Sequence, residues 1–307
     1  YFGEIRVGNQ VNTWGYVDGN NPTDNLNPYD FNYLFLTGTE RKIATFSMVF
    51  ETYLNDHKLG LVLIPQHKPN RFPIDDADFK LDDNQVPLII NEDEFQWGVS
   101  FQSMISESDY MLTYFNGYDF SPAYAGKIQL LEDYYEPKFE YRKTHVFGLS
   151  TVSFWNNATL RSEIAYFITK TAKIIENSAD YQSEYFQYVY QAEYPTDWGV
   201  TINAQLVGNK MKSISGKNYV HGEGENIVQA NEDNFKMGLG TPFASFTENA
   251  FLLSFQKLFF DDSVKFDLIN MKNLSATGNM FAIGIEYSPV ENIKIEFSSS
   301  IFDGGDE

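Results

Sequence analysis

Val200-Thr201-Ile202-Asn203-Ala204-Gln205-Leu206 carries an apolar residue at every even position and a polar one at every odd position from Thr201 on. Successive side chains of a strand leave the backbone on opposite sides, so a period of two marks a strand with one dry and one wet face. The same beat returns at 281–288, where Phe281, Ile283, Ile285 and Tyr287 oppose Ala282, Gly284, Glu286 and Ser288. At 292–298, Ile293, Ile295 and Phe297 oppose Lys294, Glu296 and Ser298. Between 184 and 194 the apolar face is Phe186, Tyr188, Tyr190, Ala192 and Tyr194, with Gln187, Gln191 and Glu193 opposite. Helical 3.6-residue spacing is hard to find. Alternation by itself proves a sheet with one dry face, soluble or membrane-bound.

The character of the wet face and the lengths of the connections separate those cases. Glu4, Arg6, Gly8, Gln10 and Asn12 fall on one face, as do Glu140, Arg142 and Thr144. Charges at successive same-face positions suit a wet lumen or a solvated surface and rarely a packed core. Short turns are expected at Asn55-Asp56-His57-Lys58, Ser106-Glu107-Ser108-Asp109, Asn156-Asn157-Ala158-Thr159, Pro195-Thr196-Asp197, Asp261-Asp262-Ser263 and Pro289-Val290-Glu291-Asn292. Long polar excursions lie between them, at about 15–42, 66–95, 119–135 and 209–233. Short turns at one end and long loops at the other are the plan of an outer-membrane up-and-down barrel; a Greek-key sandwich has no reason to sort its loops by length. Trp14, Trp97, Tyr110, Trp155, Tyr194, Trp198 and Tyr287 sit near strand ends, where interfacial girdles place such rings. The expected fold is therefore all-β: a transmembrane antiparallel up-and-down β-barrel, one domain over 1–307, with roughly 12 to 14 strands represented. The chain begins in a strand-like stretch, Tyr1 to Val7, and ends in a loop after Phe302, so terminal strands are expected beyond both ends.

Composition narrows the function. The 307 residues contain no cysteine, which removes disulfides, thiolate metal sites and a cysteine nucleophile. With 42 acidic against 22 basic side chains the net charge is −20, opposite to what nucleic-acid binding needs. No window approaches 18 uninterrupted apolar residues, which leaves strands as the only way across a bilayer.

The stretch from Gly8-Asn9-Gln10 through Trp14-Gly15 to Asp18-Gly19-Asn20-Asn21-Pro22-Thr23-Asp24 resembles a strand-plus-loop signature of porin-like bacterial outer-membrane barrel proteins in an uncharacterised, domain-of-unknown-function family. Thr241-Pro242-Phe243, Glu248-Asn249, 259–263 and 287–292 follow in the order those proteins show, as more generic barrel turns. Such proteins look like longer chains with further strands on both sides. The resemblance implies a Gram-negative outer-membrane location and a transport channel; it supplies no substrate and no catalytic residue.

Chemistry is sparse. Asp18, Asn20 and Asp24 offer oxygens of the kind calcium takes, outside EF-hand spacing; the same residues serve as turn formers or as part of a constriction. No cofactor is otherwise implied. Ser254 and Lys257 match a Ser-x-x-Lys pattern, yet on a strand they face opposite sides. His57, His67, His145 and His221 lack ligand spacing, and His145, the one in mid-strand, has Phe147 as its same-face neighbour with no nucleophile, so no enzyme is expected.

The reading from sequence is a passive channel for small polar solutes with a modest cation preference. Its expected lining is Arg6, Gln10, Glu140, Arg142, Gln187, Asn203, Gln205, Glu286, Lys294 and Glu296. The alternative is a non-conducting barrel serving as sheath, scaffold or surface receptor. Expected partners are outer-membrane lipid and lipopolysaccharide, small solutes, and a second copy or another protein. Phe186, Tyr188, Tyr190, Val200, Ile202, Leu206, Ile283, Ile285, Ile293 and Ile295 should face lipid, and Gln187, Gln191, Thr201, Asn203, Gln205, Glu286, Lys294 and Glu296 inward. The short turns should be periplasmic and the excursions 15–42 and 66–95 external. Acidic segments 75–78, 82–83 and 92–94 carry much of the charge.

Overall fold

In a computed structural model, residues 2–33, 41–72, 88–89, 95–131, 134–172, 178–219, 227–241 and 247–304 are described. The strands in chain order are β1 (Gly3–Gln10), β2 (Thr45–Leu54), β3 (His57–Ile64), β4 (Leu88–Ile89), β5 (Gln96–Ile105), β6 (Ser108–Tyr118), β7 (Ala123–Leu131), β8 (Tyr134–Glu140), β9 (Lys143–Trp155), β10 (Ala158–Lys170), β11 (Asp180–Pro195), β12 (Val200–Tyr219), β13 (Ile227–Gln229), β14 (Asn249–Phe259), β15 (Val264–Asn273), β16 (Asn279–Val290) and β17 (Ile293–Asp303). Thirteen of them form one antiparallel path, β1-β2-β3-β5-β6-β9-β10-β11-β12-β14-β15-β16-β17, with β13 attached to β12. Each strand of the path pairs with its predecessor and successor, which is up-and-down topology. Among the described residues β1 and β17 are not paired with each other, so the sheet is open. β4, β8 and β7 make a separate three-stranded sheet.

The turns fall where the sequence places them. Asn55, Ser106 and Asn156 open two-residue hairpin turns at positive φ (55°, 57° and 53°), a conformation that Asn reaches at low cost. All six short turns lie at one end of the path; the connections 11–44, 65–95, 119–142, 171–179 and 220–248 leave from the other, together with the five-residue connection 274–278. Two of the expected excursions are partly strand: 119–135 holds β7 and the start of β8, and β12 runs to Tyr219. Beyond Asn209, β12 keeps Met211 and Ile214 against the core, but the register shift at Glu184/Tyr185 puts them three residues apart among Lys210, Lys212, Ser213 and Ser215, which breaks the period-two alternation. The segments 75–78, 82–83 and 92–94, with His221 and Pro242-Phe243, lie outside the described residues.

Register partners share a face, and following them across the sheet shows what one face is made of. Arg6 pairs with Val49, then Val62, Gly98, Phe115, Val146, Phe167, Tyr185 and Met211. Val49, Val62, Phe115, Val146, Phe167 and Tyr185 are buried, and the Phe167 and Tyr185 rings stack at 4.6 Å. This covered face is apolar toward the long-connection end, where the wet-face expectation had only polar groups; loops 11–30 and 230–241 pack on it. The opposite, outer face keeps Phe101, Leu112, Phe147, Ile164, Tyr190, Phe251, Phe281, Ile285 and Ile295 exposed. Trp155 (69% exposed), Trp198 (67%), Tyr194 and Tyr287 ring its short-turn end. Trp14 departs from that expected set: it is buried, its indole lying over Gly98, where any side chain would collide with it. His145 is on the outer face, hydrogen-bonded to the Tyr114 hydroxyl at 2.8 Å.

Candidate functional site

Residues 11–30, the first part of the connection between β1 and β2, do not extend into solvent. Asn12, Trp14, Val17, Asn20 and every residue from Pro22 to Asp30 are buried, because the loop folds back onto the covered face. Asn27 fixes its base, accepting from the Asn12 amide (2.8 Å) and donating to the carbonyls of Gln10 and Ile43 and to the Thr45 hydroxyl. Gln10 itself donates to the Ser47 carbonyl at 3.1 Å.

Glu163, in the middle of β10, holds the loop's tip. Its Oε1 accepts from the backbone amides of Tyr16 (2.6 Å) and Val17 (2.9 Å) and from Asn21 Nδ2 (3.2 Å); its Oε2 accepts from the Thr23 hydroxyl (2.7 Å). The side chain has no solvent exposure. A carboxylate out of water needs such donors, and backbone amides turned toward it supply them without a cation. Gly15 makes the turn possible. It sits at φ +91°, and a β-carbon there would overlap the Glu163 carboxylate. Gly15→Ala should therefore lower stability by about 2 kcal/mol while leaving every hydrogen-bond donor in place; urea unfolding of the detergent-refolded protein measures it, and an unchanged midpoint would contradict the wrapped-carboxylate geometry.

Three glutamines continue the anchoring. Gln191 exchanges hydrogen bonds with Asp18, accepting from its amide (2.8 Å) and donating to its Oδ2 (2.7 Å). Gln205 donates to the Asp18 carbonyl (2.6 Å) and accepts from Asn20 Nδ2 (3.1 Å). Gln187 binds the second loop, accepting from the Thr241 amide at 2.9 Å. The two loops meet where the Gly240 amide donates to Asn25 Oδ1 at 3.1 Å.

A second anchor stands beside the first. Arg142 and Asp119 are both buried, with Nε–Oδ2 at 2.6 Å; Arg142 also donates to the Tyr181 hydroxyl (2.8 Å) and the Lys236 carbonyl (2.6 Å). Thr144 donates to the other Asp119 oxygen at 2.7 Å. Burial raises the Asp119 carboxyl and the Arg142 guanidinium lowers it again; Asp119 in turn holds Arg142 strongly charged. Glu140, Arg142 and Thr144 are not one strand face after all: β8 ends at Glu140 and β9 starts at Lys143, because Arg142 leaves the ladder to reach Asp119.

Glu140, in the separate sheet, is buried and accepts from the Ala172 amide at 2.7 Å through Oε2. Burial pushes its carboxyl from 4.5 up to about 7. The folded chain then holds a proton that the unfolded chain has released, so Glu140 lowers stability as pH rises from 4.5 to 7. Glu140→Gln should change little at pH 4 and stabilise at pH 8 by about 3 kcal/mol; urea midpoints at the two pH values check this, and equal shifts would contradict it.

The remaining expected lining residues lie toward the short-turn end. Arg6 and Lys58 bracket Glu51 (3.5 and 2.8 Å) on β1–β3. On β15–β17, Lys265 meets Asp267 (3.2 Å), and Lys294 meets Glu286 (3.2 Å) and Glu296 (2.6 Å). Arg161 pairs with Glu193 at 2.8 Å. Asn203 is half-buried beside this zone, its register partner being Glu193. Gln187, Gln205 and Arg142 are under the loops instead, and Glu140 is buried in the separate sheet against the Ala172 amide. Asp18, Asn20 and Asp24 point to separate partners, Asp24 to Lys42 Nζ at 3.5 Å, and no metal-binding group of three His, Cys, Asp or Glu residues occurs among the described residues. Glu163 is the functional residue that sequence reading missed; its signal is a lone carboxylate on the covered face of 158–170 beside Ala165 and Phe167.

No protein-family model and no curated protein matches the sequence. Among solved structures the chain is similar to the crystal structure of Pseudomonas aeruginosa OccK8 (OprE), at 11% identity and a TM-score of 0.33, over 87% of this chain and 78% of that one.

Proposed function

We propose that this chain forms the wall of a porin-like channel in a bacterial outer membrane, passing small polar solutes by diffusion, with a modest preference for cations. One observation carries the reading: the long antiparallel sheet has an apolar, exposed outer face bounded by Trp and Tyr, and a covered face that ends in ion pairs among Arg6, Glu51, Lys58, Lys265, Glu286, Lys294 and Glu296. A sheet in water has no use for a continuous exposed apolar face of that extent; a lipid-facing wall requires one. Closure of the sheet satisfies the free edges of β1 and β17. The short turns then lie toward the periplasm. Loop 11–30 is the constriction, and Glu163, Gln191 and Gln205 anchor it.

The burial of that loop favours a second reading, a non-conducting barrel whose filled interior makes it a scaffold or receptor. Planar-bilayer recording under a potassium chloride gradient distinguishes them. The channel reading predicts discrete conductance and a reversal potential displaced modestly toward potassium, shrinking as salt screens the lining. Chloride selectivity would contradict the preference, and the absence of conductance would leave the scaffold.

A further inference from the structure

We infer that the outer face of β9–β12, at the end where the long connections leave, is a docking surface for the phosphates of an anionic membrane lipid. The inference rests on the membrane reading above and adds a site to it. Lys143, Lys170, Lys210, Lys212 and Lys217 all project from this face, five of the chain's 22 basic residues on three strands, β9, β10 and β12, of a protein with net charge −20. Lys143 stands directly opposite Lys170 in the ladder. The Lys143 ammonium lies over the Tyr118 ring at 4.4 Å, so the exposed lysines of the patch are those of β10 and β12. Lys210 is the register partner of Phe186, and Lys217 that of Asp180. Lys212 pairs with Glu184 at 2.8 Å and lies over the Tyr166 ring. Lys170, Lys210, Lys212 and Lys217 are exposed.

The band is continuous with the apolar belt. Along the same strands toward the short turns, the outer face becomes Phe147, Ile164, Tyr188 and Leu206, then Trp155, Tyr194 and Trp198, with no lysine among them. A lipid lying against the sheet would set its acyl chains on that belt and its headgroup among the lysines. Four strands at about 4.8 Å spacing span about 14 Å, wide enough for a headgroup carrying two phosphates. Lysine suits this ligand because its compact ammonium acts as a point charge toward phosphate. The outer face at the short-turn end of these strands offers aromatic rings and no cations, Arg161 there being on the covered face, so the docked leaflet is the one on the long-connection side.

The test uses the full chain refolded in neutral detergent, titrated with bisphosphorylated lipid A, its dephosphorylated form, or inorganic phosphate, and bound lipid read by native mass spectrometry. Attraction of roughly fivefold per lysine predicts that K170Q/K210Q/K217Q binds the bisphosphorylated lipid about a hundredfold more weakly. K170R/K210R/K217R should retain binding, and the dephosphorylated lipid should bind both Gln variant and parent weakly and alike. Equal binding of bisphosphorylated lipid by parent and Gln variant overturns the proposal, as does inorganic phosphate binding as tightly as the lipid. A parent that stays folded without detergent would instead overturn the membrane reading beneath it.

Discussion

Glu163→Ala should lower stability by about 3–4 kcal/mol and, in a conducting protein, enlarge the single-channel conductance. Both effects have one cause. The Tyr16 and Val17 amides, Asn21 and the Thr23 hydroxyl all end on that carboxylate. Removing it leaves buried donors without an acceptor, each costing about 1–3 kcal/mol unless the loop moves into water. Moving is the loop's way out, and it takes residues 15–24 away from the covered face. Glu163→Gln keeps one acceptor oxygen and should cost about half as much. Urea unfolding in detergent gives the stability and bilayer recording the conductance. A stability loss with unchanged conductance would mean that the loop does not narrow the passage.

Arg142→Met is expected to be the second costly change, at about 3–5 kcal/mol, because it strands the Asp119 carboxylate in a site without solvent. It also removes the guanidinium bonds to the Tyr181 hydroxyl and the Lys236 carbonyl, so loop 230–241 loses its hold. Asp119→Asn combined with Arg142→Met should recover part of the loss, since the double variant buries no net charge. A double-mutant cycle over the pair measures the coupling. Coupling near zero would show that the two residues act independently of one another.

The sheet was legible because period-two alternation survives wherever one face meets a uniform solvent. Positions 200–206, 281–288 and 293–298 are strand, as their alternation requires, and the six short turns carry Asn, Asp, Ser or Pro where hairpins need them. The covered face was legible only toward the short turns. Near the long connections, stretches such as Ile164-Ala165-Tyr166-Phe167-Ile168 are apolar on both sides, since Ala165 and Phe167 pack under the loops while Ile164 faces outward. The inward fold of loop 11–30 was not legible, for a physical reason: Asn, Asp and Pro build turns in water and bond a sheet's interior equally well. Asn27 and Asp18 look alike in sequence, yet one is wholly buried as a brace and the other bonds Gln191 near an open surface. Arg142 looked like the next residue of a strand because nothing local marks Asp119, distant in sequence, as its partner.

The central claim is that one sheet has two solvents, lipid on its outer face and water or loop on the other. Spin labels at Ile202 and Asn203, adjacent residues of β12 on opposite faces, test it most directly in reconstituted protein. The account predicts that Ile202 is relaxed mainly by oxygen, which concentrates in lipid, and Asn203 less by oxygen and relatively more by a water-soluble nickel quencher. Equal accessibility at the two positions, or the reverse pattern, would contradict it.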